Sequence, residues 1–131
     1  MNNPFFNRLQ SFAAALGAIG VIVGAFGAHF LKARLTDGHL ETIKTGVLYL
    51  FIHTLATLLV CALSKHNPNR ALKASGLAFM IGTVMFSGSL FVIGTASLSG
   101  FPVSMIGFIT PLGGLTYILG WILLIFSPKN K

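Results

Sequence analysis

Long apolar segments separated by short polar ones organise this chain from end to end. No formally charged residue occurs over residues 9–31, and further apolar segments cover 46–63, 75–97 and 103–126. A helix of about 20 apolar residues, rising about 1.5 Å per residue, crosses a hydrocarbon core of about 30 Å. The pattern therefore predicts an all-α fold in which residues 1–131 form one domain, an integral membrane bundle of four transmembrane helices.

Composition agrees with a lipid environment. The chain has 131 residues, of which 54% are hydrophobic and 8% charged, and its mean hydropathy is +0.84. Soluble domains carry about 25% charged residues, so water is not the solvent for most of this surface. Four spans with short connections also leave no length for a separate soluble domain.

The net charge of +7 raises the question of nucleic acid, which strongly basic domains often bind. Here the basic residues lie at the ends of the apolar segments instead of forming a continuous stripe with exposed aromatic residues between them. We therefore expect the lipid bilayer, and no nucleic acid, as the partner. The single cysteine, Cys61, lies inside an apolar segment and predicts a buried, inert thiol.

The basic residues also predict an orientation. Six lie at one face of the bundle and three at the other, and both acidic residues accompany the smaller group. The larger group is Arg8, Lys65, Arg70, Lys73, Lys129 and Lys131, and the smaller is Lys32, Arg34 and Lys44. The positive-inside rule then places both termini in the cytoplasm. We expect the first apolar segment to be a retained span, because it is long for a cleaved signal peptide.

The first span is rich in glycine, at Gly17, Gly20, Gly24 and Gly27. Small residues let helix backbones approach closely in lipid, so this face predicts helix packing, within the bundle or against a second copy in a homo-oligomer. In the fourth span, Pro111 predicts a kink, because proline removes a backbone donor and clashes with the preceding turn.

A polar stripe runs along the second helix. Glu41, Thr45, Tyr49, His53 and Thr57 recur every four residues, and residues four apart are neighbours on a helix surface. Polar groups at this depth must face protein or water, since unsatisfied groups in hydrocarbon are costly.

The stripe suggests a candidate site with the histidine that ends the first span. We expect His29 to meet Tyr49 and His53 between the first two helices, with Asp37 or Glu41 able to help only by bending inward. Two imidazoles could share a proton, bind a metal or ligate a haem. They are fewer than the usual set of zinc ligands, so no metal and no cofactor is predicted. Interhelical hydrogen bonds that hold the bundle together remain the alternative interpretation.

Hydroxyl groups are the polar contribution of the third and fourth spans. Ser87, Ser89 and Thr110 can bond to carbonyls of their own helix or to a neighbouring helix. No nucleophile with a base and an orienting acid can be assembled from the spacing, so no enzyme is predicted. The spans also lack the Asp or Glu that proton-coupled transporters usually keep in the membrane.

Four motifs occur in order along nearly the whole chain. They are residues 24–29 (GAFGAH), 45–53 (TGVLYLFIH), 86–90 (FSGSL) and 109–114 (ITPLGG), the last followed by Gly120-Trp121. Together they resemble the YgdD-like membrane proteins, the domain of unknown function family 423. The resemblance implies a four-helix protein of the bacterial inner membrane without an established biochemical function. It marks these positions for testing: His29, Tyr49, His53, Ser87, Ser89, Thr110 and Pro111.

The sequence thus favours a non-enzymatic membrane protein with a structural or accessory role. The alternative is a small transporter or ligand-binding protein whose polar site lies between the first two helices.

Overall fold

The structure, a computed structural model, describes residues 3–127, except for the side chains of Ala28 and Met105. Within this range the chain is helical apart from short connections. The helices are α1 (Pro4–Phe26), which continues through one π-helical turn (Gly27–Leu31), α2 (Asp37–Ser64), α3 (Arg70–Ser99) and α4 (Ile109–Ile125), which follows a 3-10 turn (Val103–Met105). The predicted all-α fold is confirmed.

The helix ends follow local sequence signals. The side chains of Asn3, Thr36 and Asn69 each accept a hydrogen bond from a backbone N–H in the first turn of α1, α2 and α3. Such caps satisfy donors that have no partner within the helix and contribute about 1 kcal/mol each. At the other end of α3, Gly100 has a φ of +67°, which favours glycine and ends the helix.

Three helices are long and apolar enough to cross a membrane. They span 28, 28 and 30 residues, when the π-helical turn is counted with α1, and their apolar windows have mean hydropathies of 2.0 to 2.1. The shorter α4 has 17 residues, which corresponds to about 26 Å. The expected fourth span over 103–126 is therefore shorter than predicted, because its first residues form the separate 3-10 turn.

The structure places Pro111 outside the helix interior, where the predicted kink would lie. Since α4 begins at Ile109, Pro111 is the third residue of the first turn. A backbone N–H at this position has no partner within the helix, so proline loses no intrahelical hydrogen bond there. Pro111 therefore lies in the first turn of α4.

α3 and α4 pack closely against each other. A Cβ atom at Gly113 would lie 2.6 Å from the Phe86 backbone nitrogen, and one at Gly120 would lie 2.6 Å from the Phe79 ring. Any larger residue at either position would push the helices apart. Because van der Waals packing is a main source of helix association in lipid, these two glycines determine how α4 docks on α3.

Part of the predicted glycine surface of α1 packs within the chain. Gly20, Gly24 and Gly27 face side chains of α2, with the nearest atoms 2.6, 3.6 and 3.8 Å from the position that a Cβ would take. Nothing lies within 4 Å of that position at Gly17. The apolar window of α1 is 18% buried, against 44% for α2 and α3. The helix therefore lies at the periphery, against a central pair formed by α2 and α3.

The beginning of α1, the α2–α3 turn and the end of α4 lie together at one end of the bundle. The Lys73 ammonium of α3 lies 5.6 Å from the ring centre of Phe5 in α1, and the Asn69 amide donates to the Ser127 hydroxyl at 3.2 Å. We call this the basic end, because it carries Arg8, Lys65, Arg70 and Lys73. Lys129 and Lys131 lie outside the described residues.

Replacing Gly113 by alanine tests the close approach of α3 and α4. The added methyl group would overlap the Phe86 backbone, so we expect Gly113→Ala to destabilise the protein by about 1–3 kcal/mol. The matched control is Gly17→Ala, which has open space and should be neutral or stabilising, because alanine favours helices over glycine by about 1 kcal/mol. Thermal unfolding in a mild detergent measures both. Equal melting temperatures for the two variants would contradict this packing.

Candidate functional site

His53 lies in the middle of α2 with 4% of its surface exposed. Its Nδ1 is 2.8 Å from the Tyr49 carbonyl oxygen one turn earlier, and the Trp121 indole nitrogen of α4 is 3.2 Å from its Nε2. An indole N–H can only donate, so Nε2 accepts and the ring proton belongs on Nδ1, where it donates to the carbonyl. The neutral Nδ1–H imidazole therefore uses both nitrogens within the chain.

Aromatic rings surround this imidazole. The Tyr117 ring stacks on it with centroids 3.4 Å apart and an interplanar angle of 10°. Tyr49 and Phe79 lie 5.9 and 5.6 Å away by the same measure. Together with two further rings these residues form what we call the aromatic cluster, which joins α2, α3 and α4. Its members are Tyr49, His53, Phe79, Phe86, Tyr117 and Trp121.

Hydroxyl groups extend this polar contact between α3 and α4. Ser89 donates to the Phe86 carbonyl at 2.8 Å and lies 2.7 Å from the Thr110 hydroxyl. Since the single Ser89 proton is used on the carbonyl, Thr110 is the donor between the two hydroxyls. Deeper in the bundle, Tyr117 donates to Thr83 at 3.3 Å. Each of these bonds satisfies a polar group that hydrocarbon would leave unpaired.

Ser87 is the exception among these hydroxyls. Its side chain is fully buried, and its Oγ is the buried side-chain polar atom that lacks a hydrogen bond within residues 3–127. The hydroxyl lies close to that of Tyr117 without the geometry of a hydrogen bond. A buried hydroxyl without a partner costs about 1–3 kcal/mol, so its closeness to the Tyr117 hydroxyl bears on the contact between α3 and α4.

The threonine hydroxyls of the stripe on α2 are hydrogen-bonded within their own helix. Thr57 donates to the His53 carbonyl at 2.8 Å, and Thr45 donates to the Glu41 carbonyl at 2.9 Å. The Glu41 carboxylate is exposed and pairs with Lys44 one turn later. The stripe therefore runs from an exposed ion pair into the core, and Glu41 does not bend inward.

The expected meeting of His29 with Tyr49 and His53 is not found. His29 is exposed in the π-helical turn, just beyond Gly27, which faces Ile43 of α2. His53 lies ten residues further along α2 than Ile43, or about 15 Å. The rings of Tyr49 and His53 contact α3 and α4, whereas α1 packs on a different face of α2. A difference of one residue rotates a helix face by about 100°, which is enough to change the neighbour.

Sequence reasoning missed the α4 half of the site. A tryptophan near the end of an apolar segment, as Trp121 is, is typical of the membrane interface, and Tyr117 carried no prediction. Their signal is nevertheless present, since Gly113, Tyr117 and Trp121 recur at intervals of four and share one helix face. On α3, Ser75 was also missed, although it is fully buried and donates to the Gly120 carbonyl at 2.8 Å.

Metal ligands are not clustered in the described part of the chain. Over residues 3–127, no group of three or more His, Cys, Asp or Glu side chains is placed to hold a metal ion. Cys61 is buried as predicted, and its thiol donates weakly to the Phe6 carbonyl at 3.6 Å.

Comparison with known proteins gives the family. A family model described as "Protein of unknown function (DUF423)" matches residues 23–114. The chain belongs to this family. The matched range contains Tyr49, His53, Ser89 and Thr110, whereas Tyr117 and Trp121 follow it.

Relatives of the DUF423 chain are membrane proteins by name. The UPF0382 membrane protein YwdK of Bacillus subtilis is 36% identical over 117 residues, 86% of this chain and 91% of its own length. A UPF0382 membrane protein of Haemophilus influenzae is 36% identical over 126 residues, 95% and 97% of the two chains. The UPF0382 inner membrane protein YgdD of Escherichia coli is 35% identical over 114 residues, 87% and 83%. No solved structure matches this chain.

These relatives confirm the resemblance found in the sequence. They also identify the environment of the apolar helices as a membrane, since their names place them in membranes or in the inner membrane. None of the three names states a biochemical function, so function must be argued from the site itself.

Removing the indole donor tests the hydrogen bond to His53. We expect Trp121→Phe to keep a ring on Phe79 but to lower the free energy of unfolding by about 1 kcal/mol, the usual scale for one hydrogen bond in a membrane protein. Tyr49→Phe is the control, because the Tyr49 hydroxyl has no hydrogen bond among residues 3–127. Unfolding in detergent measures both. A loss in Tyr49→Phe that equals the loss in Trp121→Phe would argue against the assigned bond.

Proposed function

We propose that this chain is a non-enzymatic membrane protein with a structural or accessory role, in which the polar side chains join its own helices. One observation carries the proposal: both nitrogens of the most buried histidine are occupied by groups of the chain. A bound metal, a haem or a transferred proton would require one of these nitrogens. It would therefore have to displace either the Trp121 indole or the Tyr49 carbonyl.

The hydroxyl groups support the same function. Ser89 is bonded to a carbonyl and to the Thr110 hydroxyl, and neither partner can take its proton as a general base would. The arrangement therefore favours packing over catalysis. It also counts against a ligand site between α1 and α2, because Tyr49 and His53 contact α3 and α4.

We also propose that the chain is a multi-pass protein of the bacterial inner membrane with its basic end in the cytoplasm. The basic end carries Arg8, Lys65, Arg70 and Lys73, and both acidic residues lie at the start of α2. The bond between Asn69 and Ser127 brings the end of α4 to the basic end. The positive-inside rule then supports two cytoplasmic termini.

In a homo-oligomer formed through α1, most glycines of that helix would be unavailable for contact with the second copy. Gly20, Gly24 and Gly27 already pack against α2. The open surface at Gly17 remains for a second copy, so we infer that the GxxxG pair formed by Gly20 and Gly24 serves the fold of a single chain.

Purification with a histidine variant tests the structural role. We expect the wild-type protein to be colourless and free of stoichiometric metal by absorption spectroscopy and elemental analysis. His53→Ala should lose stacking and leave a cavity, at a cost of about 2–4 kcal/mol, with lower abundance in membranes. Leu55→Ala, on the exposed face of α2, is the matched control and should change little.

Trp121→Phe keeps the test informative if His53→Ala fails to fold. A structural role predicts that its only defect is reduced stability. Native mass spectrometry that finds a stoichiometric small molecule in the wild type, lost in Trp121→Phe without a change in melting temperature, would overturn the structural role.

Reporter fusions test the orientation. Green fluorescent protein fused after Lys131 should fluoresce, because it folds in the cytoplasm, and alkaline phosphatase at the same position should be inactive. Alkaline phosphatase inserted after Thr36, at the opposite end of the bundle, should be active. The reverse pattern would place the basic end outside the cytoplasm.

A further inference from the structure

A cavity of about 510 Å³ opens at the basic end, between the first turns of α1 and the last turn of α2. Its polar lining includes the side chains of Asn7, Gln10 and Lys65, and its apolar lining includes Phe6 and Pro68. The volume exceeds that of several water molecules, since one water occupies about 30 Å³ of the liquid. The mixed lining suits a ligand that has both a polar and an apolar part.

The charge around this cavity is positive. Asp37 and Glu41 are the only acidic residues of the chain, and they lie at the opposite end of α2, roughly 36 Å or more from Lys65 at about 1.5 Å per residue. This distance is several Debye lengths in physiological salt, where one is about 8 Å. Within residues 3–127 Lys65 therefore has no carboxylate partner, and Arg70 and Lys73 at the same end add to the positive field.

Three side chains with hydrogen-bond donors line the cavity, those of Asn7, Gln10 and Lys65. Asn7 and Gln10 are three residues apart on α1 and so share one face. Their side-chain amides make no hydrogen bond to another residue within 3–127, and neither does the Lys65 ammonium. A phosphate oxyanion can accept hydrogen bonds from one ammonium and two amide groups together. Such an anion accepts several hydrogen bonds at once and gains most from a charged donor.

We propose that this cavity, which we call the headgroup pocket, binds the phosphate of a membrane phospholipid. The pocket opens where the apolar helices reach their charged ends, which is the depth of the lipid phosphates in a bilayer. Phe6 and Pro68 would contact the apolar glycerol ester region, for which a free phosphate ion has no equivalent. The lipid is therefore the favoured source of the phosphate. This binding goes beyond the structural role proposed above and does not depend on it.

Binding of defined phosphate compounds tests the pocket. The full chain is purified in a maltoside detergent, and its melting temperature is followed with added short-chain phosphatidylglycerol or with inorganic phosphate at equal ionic strength. We expect phosphatidylglycerol to raise the melting temperature in a saturable manner and inorganic phosphate to do so far less. Lys65→Gln should weaken phosphatidylglycerol binding about tenfold, because the charged hydrogen bond is the strongest in the set.

Two further variants separate the pocket from general charge. Gln10→Leu removes an amide of the pocket and should weaken binding about threefold, the scale of one neutral hydrogen bond. Arg70→Gln removes a charge at the same end outside the pocket and should change binding less than about twofold, as expected for an exposed, screened charge. All three side chains are exposed, so the variants should fold.

Two results would overturn the proposal. Equal loss of binding in Lys65→Gln and Arg70→Gln, with none in Gln10→Leu, would mean that phosphatidylglycerol responds only to surface charge. Stabilisation by inorganic phosphate that matches phosphatidylglycerol would mean that the pocket takes the free ion and not the lipid.

Discussion

The close approach of α3 and α4 at Gly113 and Gly120 is the contact on which the rest of the bundle depends. In lipid, apolar surface gains little by leaving one hydrocarbon environment for another, so helices associate through tight packing and through polar groups that have no other partner. The Phe86 backbone lies against Gly113 and the Phe79 ring against Gly120. Because of this, α4 docks closely enough for Tyr117 to lie over His53. The same docking brings the Trp121 indole within hydrogen-bond distance of His53.

The aromatic cluster joins three helices through a polar side chain that would be costly in lipid on its own. An imidazole in the middle of α2 is costly in hydrocarbon unless both nitrogens are bonded, and α2 alone supplies only the Tyr49 carbonyl. The second partner must come from another helix, which makes the position of α4 relative to α2 specific. By contrast α1, with most of its surface outside the core, packs through Phe6, Leu9 and Ala13 in its first half and through glycines beyond them, and it carries no partner of the cluster. The peripheral position of α1 also leaves room for the headgroup pocket beside its first turns.

Local features of the fold could be predicted because their causes are local. Apolar length located the helices. Pro111 was misinterpreted because its effect depends on where the helix begins: the same residue breaks a helix interior and is tolerated in a first turn. Hydropathy does not mark that boundary.

By itself, the sequence determined the membrane environment, the number of helices, the charge difference between the two ends and the presence of a polar stripe on α2. These follow from composition and from spacing along a single helix. Only the tertiary structure decided which helix the stripe contacts. A helix face is defined by its own residues, but its neighbour depends on the rotation and register of a different segment. For this reason the sequence pointed Tyr49 and His53 towards His29, whereas packing on Gly113 and Gly120 directs them to Tyr117 and Trp121.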